Sequence, residues 1–314
     1  TVIGLVTFGL RPSRRQSRLH LLAAAAVVLW LDLRWHQPNL HPTIDRAWYT
    51  QPNPARAGLS QAALLGEQRL HPSKTRQIQN TFNTDASLQE AFILARVSMF
   101  NDWNLVEGTA KLNGFYSLWF PEQEQIARAL QVDPPDLPRG LADFLGIEFI
   151  SPTENTIAWL PRPSARRLIS AGQAPEFAEP QETLRRLTAS DFDPARVVYL
   201  PAAAAGTIDI KGTVPAVITN TYWGTDEIAF EVSALSPTVA VVANSFHHHW
   251  RAYVDGERSL IQRANLGYQA VIVPAGEHRV ELRYEDRAFQ TGRWITLLSL
   301  IGLAVAWRSQ RSVR

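Results

Sequence analysis

The sequence predicts an α+β extracytoplasmic region that closes with a C-terminal antiparallel β-sandwich and is flanked by transmembrane helices. Three observations lead there. Apolar runs lie near both ends of the 314-residue chain, helical and strand-like periodicities are mixed between them, and from Gly206 onward short alternating segments recur every eight to twelve residues between turn residues. A length of 314 residues exceeds what one core usually serves, so two domains are expected between the apolar ends.

The apolar run Val2–Leu10 reads as the end (1–10) of a truncated transmembrane helix. Residues 11–18 hold four arginines, Arg11, Arg14, Arg15 and Arg18, and read as a cytoplasmic basic loop. A transmembrane helix is expected over 19–35, where His20 and Asp32 are the polar interruptions of Leu19–Leu33; a carboxylate there belongs at the interface. At the other end, Trp294–Trp307 is polar only at Thr296 and Ser299, with tryptophans at its borders and Arg293 and Arg308 placed to snorkel outward. This gives a transmembrane helix over 291–308 and a cytoplasmic tail over 309–314. Both runs fall short of the roughly 20 residues of a bilayer crossing, so a buried core helix or a signal-peptide segment is the competing account. No Ala-x-Ala signal follows the first run, and residues 2–10 precede the arginines, which disfavours a secreted soluble hydrolase. The arginines of 11–18 and of the tail (Arg308, Arg311, Arg314) set residues 36–290 outside the cytoplasm by the positive-inside rule.

Residues 36–205 read as a mixed α/β domain. The segment 36–65, rich in Pro, Asn and His, is expected to be extended, with Asp45 capping a short turn. Helical spacing covers Ser87–Ser98 and Pro121–Leu130, Leu141–Ile150 ends as a buried strand, Thr183–Leu187 marks another helix and Val197–Leu200 a strand. Residues 206–290 form the predicted sandwich, with strands at Ala216–Tyr222, Glu227–Ala234, Thr238–Ser245, Trp250–Val254, Ser259–Arg263, Tyr268–Val273 and His278–Tyr284. Asp255-Gly256 is a type I′ hairpin signal and is expected to pair Trp250–Val254 with Ser259–Arg263. Pro274-Ala-Gly276 marks a second tight turn.

Composition excludes several chemistries. With 31 Lys and Arg against 29 Asp and Glu, no whole-chain field draws nucleic acid. The absence of cysteine removes disulfides, thiolate metal sites and a cysteine nucleophile. No phosphate loop, nucleophile elbow or His-Glu-x-x-His pattern is present, and neither a catalytic residue nor a cofactor is expected in this stretch.

The candidate substrate-binding residues are Arg96, Asn101, Asn104, Tyr116, Trp250, Asp255 and Asn265. Arg96, Asn101, Asn104 and Glu107 lead into Lys111, Asn113 and Tyr116, a mixture of charges, amides and aromatics that binds polyols or phosphates, or else holds a loop together. Trp250, Tyr253 and Tyr268 form either a platform for a sugar ring or ordinary core. Asp255 is a turn former first and a ligand second, and Asn265 binds a hydroxyl or its own backbone. His247, His248 and His249, placed on a strand, would alternate between faces, so no metal site is expected.

One stretch carries a resemblance. Trp250-Arg-Ala-Tyr-Val-Asp255-Gly256, Arg263-Ala-Asn265, Ala270-Val-Ile-Val-Pro274-Ala-Gly276-Glu-His278 and Tyr284-Glu-Asp-Arg-Ala-Phe289-Gln-Thr-Gly292 resemble the C-terminal end of the YfhO family. Upstream, Leu31-Asp32-Leu33 with Asn39 and Pro42-Thr43, the stretch from Asn104 through Gly108 to Gly114-Phe-Tyr116, and Leu145-Gly146-Ile147 fit as well. Members of that family are bacterial multi-pass membrane proteins related to the C-type glycosyltransferases, which use lipid-phosphate-linked sugars outside the cytoplasmic membrane. Where the family often carries an aromatic pair and Pro-Gly before the tryptophan, this chain has Phe246-His247-His248-His249, and nothing here matches the acceptor-side acid of the family's first extracytoplasmic loop. The resemblance implies placement in the bacterial cytoplasmic membrane, contact with membrane lipid, and partners in a polyprenyl-phosphate-linked sugar and a cell-envelope glycan. It implies glycosyl transfer to a cell-envelope acceptor with the catalytic residues upstream and this region in acceptor or glycan binding. The alternative is a non-catalytic membrane-anchored domain that binds glycan or protein.

Overall fold

The computed structural model describes residues 15–36, 45–61, 63, 67–82, 87–114, 118–154 and 158–312. The expected helix end at 1–10, the first half of the basic loop (11–14), Tyr116 and the last two residues lie outside them. The chain divides after Gln51 into two units.

In the first unit, α1 (Arg15–His36) runs for 22 residues, about 33 Å at 1.5 Å per residue. It is longer than its apolar run because the flanking arginine and histidine residues continue the helix, and its large side chains from Leu19 to Trp35 face outward. Asp32 lies one turn from the helix end, where its carboxylate is 3.1 Å from His36 Nδ1, so the one acid of the run sits with a partner at the polar terminus. A single turn, α2 (Ala47–Thr50), follows, and Asp45 Oδ1 accepts from the backbone N–H of Ala47 at 2.8 Å, the turn cap its sequence position predicts.

The second unit opens with β1 (Arg69–His71), α3 (Lys74–Phe82), α4 (Leu88–Val97), α5 (Trp103–Val106), α6 (Pro121–Leu130) and α7 (Arg139–Phe144). A reciprocal box starts α4: Ser87 Oγ accepts from Glu90 N–H at 3.3 Å while Glu90 Oε2 accepts from Ser87 N–H at 2.9 Å. For α6, Pro121 presets the first turn and Glu122 and Glu124 meet the positive end of its dipole, while Ile126 and Leu130 are buried. Then come β2 (Ile147–Ile150), β3 (Leu160–Pro161), β4 (Ile169–Ala171), β5 (Ala174–Ala178), α8 (Pro180–Leu187) and β6 (Val197–Pro201). Strand β2 pairs in parallel with β1 and antiparallel with β3, and β5 pairs in parallel with β6.

The remaining strands are β7 (Ala216–Trp223), β8 (Glu227–Ala234), β9 (Thr238–Val242), β10 (Trp250–Val254), β11 (Glu257–Ser259), β12 (Ile261–Ala264), β13 (Tyr268–Val273) and β14 (Gly276–Tyr284), followed by α9 (Arg287–Ser312). They build two antiparallel sheets, ordered β11-β10-β14-β8-β7 and β12-β13-β9-β4. Strand β4 comes from upstream of residue 206 and forms the edge of the four-stranded sheet. The expected strand Ser259–Arg263 is two strands: Glu257–Ser259 pairs with β10 in one sheet, and Ile261–Ala264 pairs with β13 in the other, the chain changing sheets at Leu260. The predicted turn is present, with φ of 52° at Asp255 and 82° at Gly256, both positive as type I′ requires.

Alternation explains the layering. In β9, Val239 and Val241 enter a core shared with α6, α7, α8 and β6, while Ala240 and Val242 enter a second core. Strand β13 does the same, with Tyr268 and Ala270 on one side and Val271 and Val273 on the other. Buried on both faces, β9 (TVAVV) needs an unbroken apolar run. The second core also takes Ile228, Phe230 and Val232 of β8 and Val280 and Leu282 of β14, so both sheets contribute to it. The five-stranded sheet shows water its other side, where Glu281 pairs with Arg279 at 2.8 Å and with Arg283 at 2.5 Å.

The β10–β11 turn carries a titratable lock. His278 Nδ1 lies 2.6 Å from Asp255 Oδ2 and its Nε2 lies 3.1 Å from the Ala275 carbonyl, so a doubly protonated ring satisfies both acceptors. The Asp255 carboxylate, with help from the carbonyl, raises His278 above its ordinary 6.5. Hydrogen bonds from His278 and from the backbone N–H of Arg279 lower Asp255 below 3.8. A raised histidine stabilises below 6.5 and loses that contribution as pH rises through its folded value; a lowered aspartate stabilises above 3.8 and loses it as pH falls through its folded value. The Tm difference between wild type and His278→Gln is therefore expected to be largest at about pH 4–6 and to shrink above about pH 7. A difference that stays flat with pH in thermal melts would refute the lock.

Helix α9 spans 26 residues, about 39 Å, and starts at Asp286, whose Oδ1 accepts from Phe289 N–H at 3.0 Å. Its large apolar side chains from Phe289 to Trp307 are exposed. Among the described residues, α1 and α9 are long and apolar enough to cross a membrane, with mean hydropathy of 1.2 over Leu19–His36 and 1.3 over Arg287–Val305.

Candidate functional site

A cleft of about 580 Å³ lies in the second unit between α6, the loop before it and Tyr268 of β13. Leu118, Trp119 and Phe120 come from that loop and are exposed, whereas Tyr268 is buried. Amides of Gln77, Asn113, Gln123 and Gln131 complete the lining. Ile126 and Leu130 of α6 lie between the core and the cleft floor, and Gln123, Ala127 and Gln131, on the adjoining stripe of the helix, line the cleft beside them. Gln123 is fixed by donating from Nε2 to the Gly267 carbonyl at 2.8 Å. Glu124 is the one carboxylate among the described lining residues, and it is paired with Arg128 at 2.6 Å.

His71 is the buried end of this lining, 3% exposed. Its Nε2 lies 3.0 Å from the Leu130 carbonyl and must carry the proton, which leaves Nδ1 as a bare acceptor. Burial, reinforced by the charges of Lys111 and Arg162 and opposed by the bond to Leu130, lowers His71 from 6.5 to about 4. The ring is therefore neutral near pH 7. His71 Nδ1 and Asn113 Oδ1 are both buried with no protein partner among the described residues. Each such atom costs about 1–3 kcal/mol until a donor meets it.

A second cavity of about 370 Å³ shares Gln77, Asn113 and Gly114 with the cleft and adds Asn101 and Lys111. Lys111 Nζ donates to the carbonyls of Met99, at 2.7 Å, and Asn101, and burial lowers its pKa to about 8.

The sequence candidates do not converge. Asn101 lines the second cavity. Arg96 is buried against Glu107 at 2.6 Å, and Asn104 donates to the Thr109 carbonyl at 3.0 Å inside the same loop. Asn265 Oδ1 accepts from Tyr199 N–H at 2.9 Å and its own N–H donates to the Tyr199 carbonyl at 2.7 Å, tying β6 to the loop after β12. Asp255 holds the hairpin, and Trp250 packs edge-on against Tyr284 with centroids 5.5 Å apart. Tyr116 lies outside the described residues.

The reading of the three histidines needs correction. They are not on a strand: β9 ends at Val242 and β10 begins at Trp250, with His248 and His249 in the turn between. Freed from strand alternation, their rings converge, with centroids 4.1 to 4.7 Å apart. His247 also lies 5.6 Å from Phe120, so the cluster borders the cleft.

Sequence reasoning missed His71, Gln123, Trp119 and Phe120. The signal was the exposed pair Trp119-Phe120 just before a helix-starting proline; His71 carried none, since a histidine in a short apolar strand reads as core.

No protein-family model matches the chain, and no curated protein matches it. Among solved structures, it aligns with the cryo-EM structure of the arabinofuranosyltransferase AftD from Mycobacteria at 24% identity and a TM-score of 0.18, over 24% of this chain and 6% of that one. A mutant of that enzyme aligns at 25% identity with the same score and coverage. A score of 0.18 over so small a share of either chain carries no inference about fold or function.

Proposed function

We propose that this chain is the glycan-binding portion of a membrane-anchored protein of the bacterial cytoplasmic membrane, acting outside the cytoplasm in glycosyl transfer from a lipid-phosphate-linked sugar to a cell-envelope acceptor. One observation carries the binding half of this reading: the aromatic, amide-lined cleft ends in two buried acceptors, His71 Nδ1 and Asn113 Oδ1, that have no donor among the described residues. A neutral polyol supplies O–H donors to both and an apolar ring face to Trp119 and Phe120. A phosphate, which offers mainly acceptors, fits them poorly. The transfer half rests on the YfhO resemblance, which covers nearly the whole chain. With its one described carboxylate paired to Arg128, the described lining offers no pair of carboxylates for acid–base work, which favours binding here and chemistry elsewhere in the protein. The two exposed apolar helices support anchoring at both ends, the arginines at 11–18 and 308–314 favour residues 36–290 outside, and the core common to the two C-terminal sheets supports a sandwich.

The test is titration of the detergent-solubilised full chain with a panel of neutral envelope oligosaccharides, read by tryptophan fluorescence and calorimetry. Saturable binding is expected, weakened about ten-fold or more by Trp119→Ala and by Asn113→Leu. Binding that neither variant changes, or no binding by any neutral oligosaccharide, would overturn the assignment. For the topology, the protein is expected to stay with membranes through carbonate extraction, and a reporter inserted near Gly206 to be active only outside the cytoplasm. Release by carbonate, or a reporter active inside, would contradict it.

A further inference from the structure

The geometry points to a divalent transition-metal site, of the kind zinc occupies, formed by His247, His248, His249 and Asp286. The candidate nitrogens of the three histidines lie within 4.8 Å of one another. A tetrahedral ion with bonds of ~2.0–2.1 Å needs ligand atoms roughly 3.3 Å apart, so ring rotations of about an ångström close the site. On two of the rings one nitrogen is already engaged: His247 Nδ1 accepts the His249 backbone N–H at 3.3 Å, which leaves its Nε2 for a metal, and His249 Nδ1 lies 3.3 Å from the Tyr284 hydroxyl.

The carboxylate is supplied by the sheet register. Trp250 pairs with Tyr284, which sets residue 249 across from 285; the Glu285 N–H donates to the His249 carbonyl at 2.9 Å, and Asp286 Oδ2 comes to 3.6 Å from His249 Nδ1. Asp286 divides its oxygens, since Oδ1 accepts the N–H of Phe289 at the start of α9 and Oδ2 stays available to an ion. Three imidazoles and one carboxylate suit zinc, cobalt or nickel and suit calcium or magnesium poorly, because those prefer all-oxygen shells. His248 is exposed and gives the ion a path in from solvent. A bound ion ties the turn before β10 to the first residue of the α9 cap and, through His247 against Phe120, to the wall of the cleft.

The experiment uses the full chain in detergent, made without a histidine tag, stripped with chelator and titrated with cobalt(II) chloride. One equivalent of cobalt is expected to bind with the visible absorption of a four-coordinate ion, to be displaced by zinc, and to raise Tm. His249→Ala is expected to abolish the band, and Asp286→Asn to lower affinity at least about ten-fold. Because His248 is exposed, its replacement spares the fold: His248→Ala should lose the band, and His248→Cys should restore it with an added thiolate-to-cobalt charge-transfer absorption. No stoichiometric four-coordinate cobalt, or a cobalt spectrum that His248→Cys and His249→Ala leave unchanged, would overturn the site.

Discussion

Gly172→Ala is expected to be among the most damaging single substitutions in this protein, costing about 3 kcal/mol or more. Gly172 follows β4 with φ of 96°, a region that side-chain-bearing residues avoid. A Cβ there would sit 2.2 Å from the Val214 carbonyl oxygen. That oxygen belongs to backbone, so it cannot swing aside as a side chain would. The segment is also pinned, because Val214 N–H donates to the Gly172 carbonyl at 2.8 Å and Gly172 N–H donates to the Val239 carbonyl at 3.3 Å. Gly172 thus joins the edge of the four-stranded sheet to the chain entering β7 of the other sheet. Strain of about 1–3 kcal/mol adds to an overpacking cost of similar size. Thermal unfolding of the solubilised chain should show a Tm drop of roughly 6 °C or more. Gly206→Ala, at a position with open space within 4 Å and no positive φ, is the control and should melt like wild type. Equal melting of both variants would show that this corner yields.

Arg96→Met is expected to cost about 3–5 kcal/mol, because it strands the Glu107 carboxylate in the interior. The two side chains are 11% and 4% exposed, and Arg96 Nε donates to Glu107 Oε1 at 2.6 Å. Both groups are almost out of reach of water, so removing Arg96 takes away the cationic partner of a carboxylate that stays 4% exposed. The double variant Arg96→Met, Glu107→Leu should recover most of the loss, as coupled residues in contact do. Denaturant unfolding of the two variants separates two roles for this arginine. If Arg96→Met keeps its stability but loses oligosaccharide binding, Arg96 serves the ligand, as its place in the sequence cluster implied, and its ion pair is incidental.

The candidate cluster around Arg96 shows what a sequence can and cannot say about a site. Arginine, asparagine and glutamate at a helix-to-loop junction look alike whether they face a ligand or each other. Asn104 and Asn265 serve the backbone, as asparagines in tight loops commonly do, and only their partners, the Thr109 carbonyl and Tyr199, distinguish that from ligand binding. Of the cluster from Arg96 to Tyr116, Asn101, Lys111 and Asn113 line a cavity, while the buried acceptor of His71 arises from a pairing with Leu130, 59 residues away.

What the sequence determined by itself was local. Helix α6, strands β8, β10 and β13 and the Asp255-Gly256 turn lie where their periodicity and turn chemistry place them, because an amphipathic period and a positive φ are properties of neighbouring residues. The two long apolar helices belong to the same class. Tertiary structure decided the rest: that β4 from upstream joins β9, that the chain between β10 and β13 splits across two sheets at Leu260, and that His247, His248 and His249 lie outside the strands with His249 beside Asp286. Each depends on which distant strand offers its free edge and on where a ladder stops. Those outcomes are settled by packing two cores against the four-stranded sheet, and no stretch of neighbouring residues encodes them.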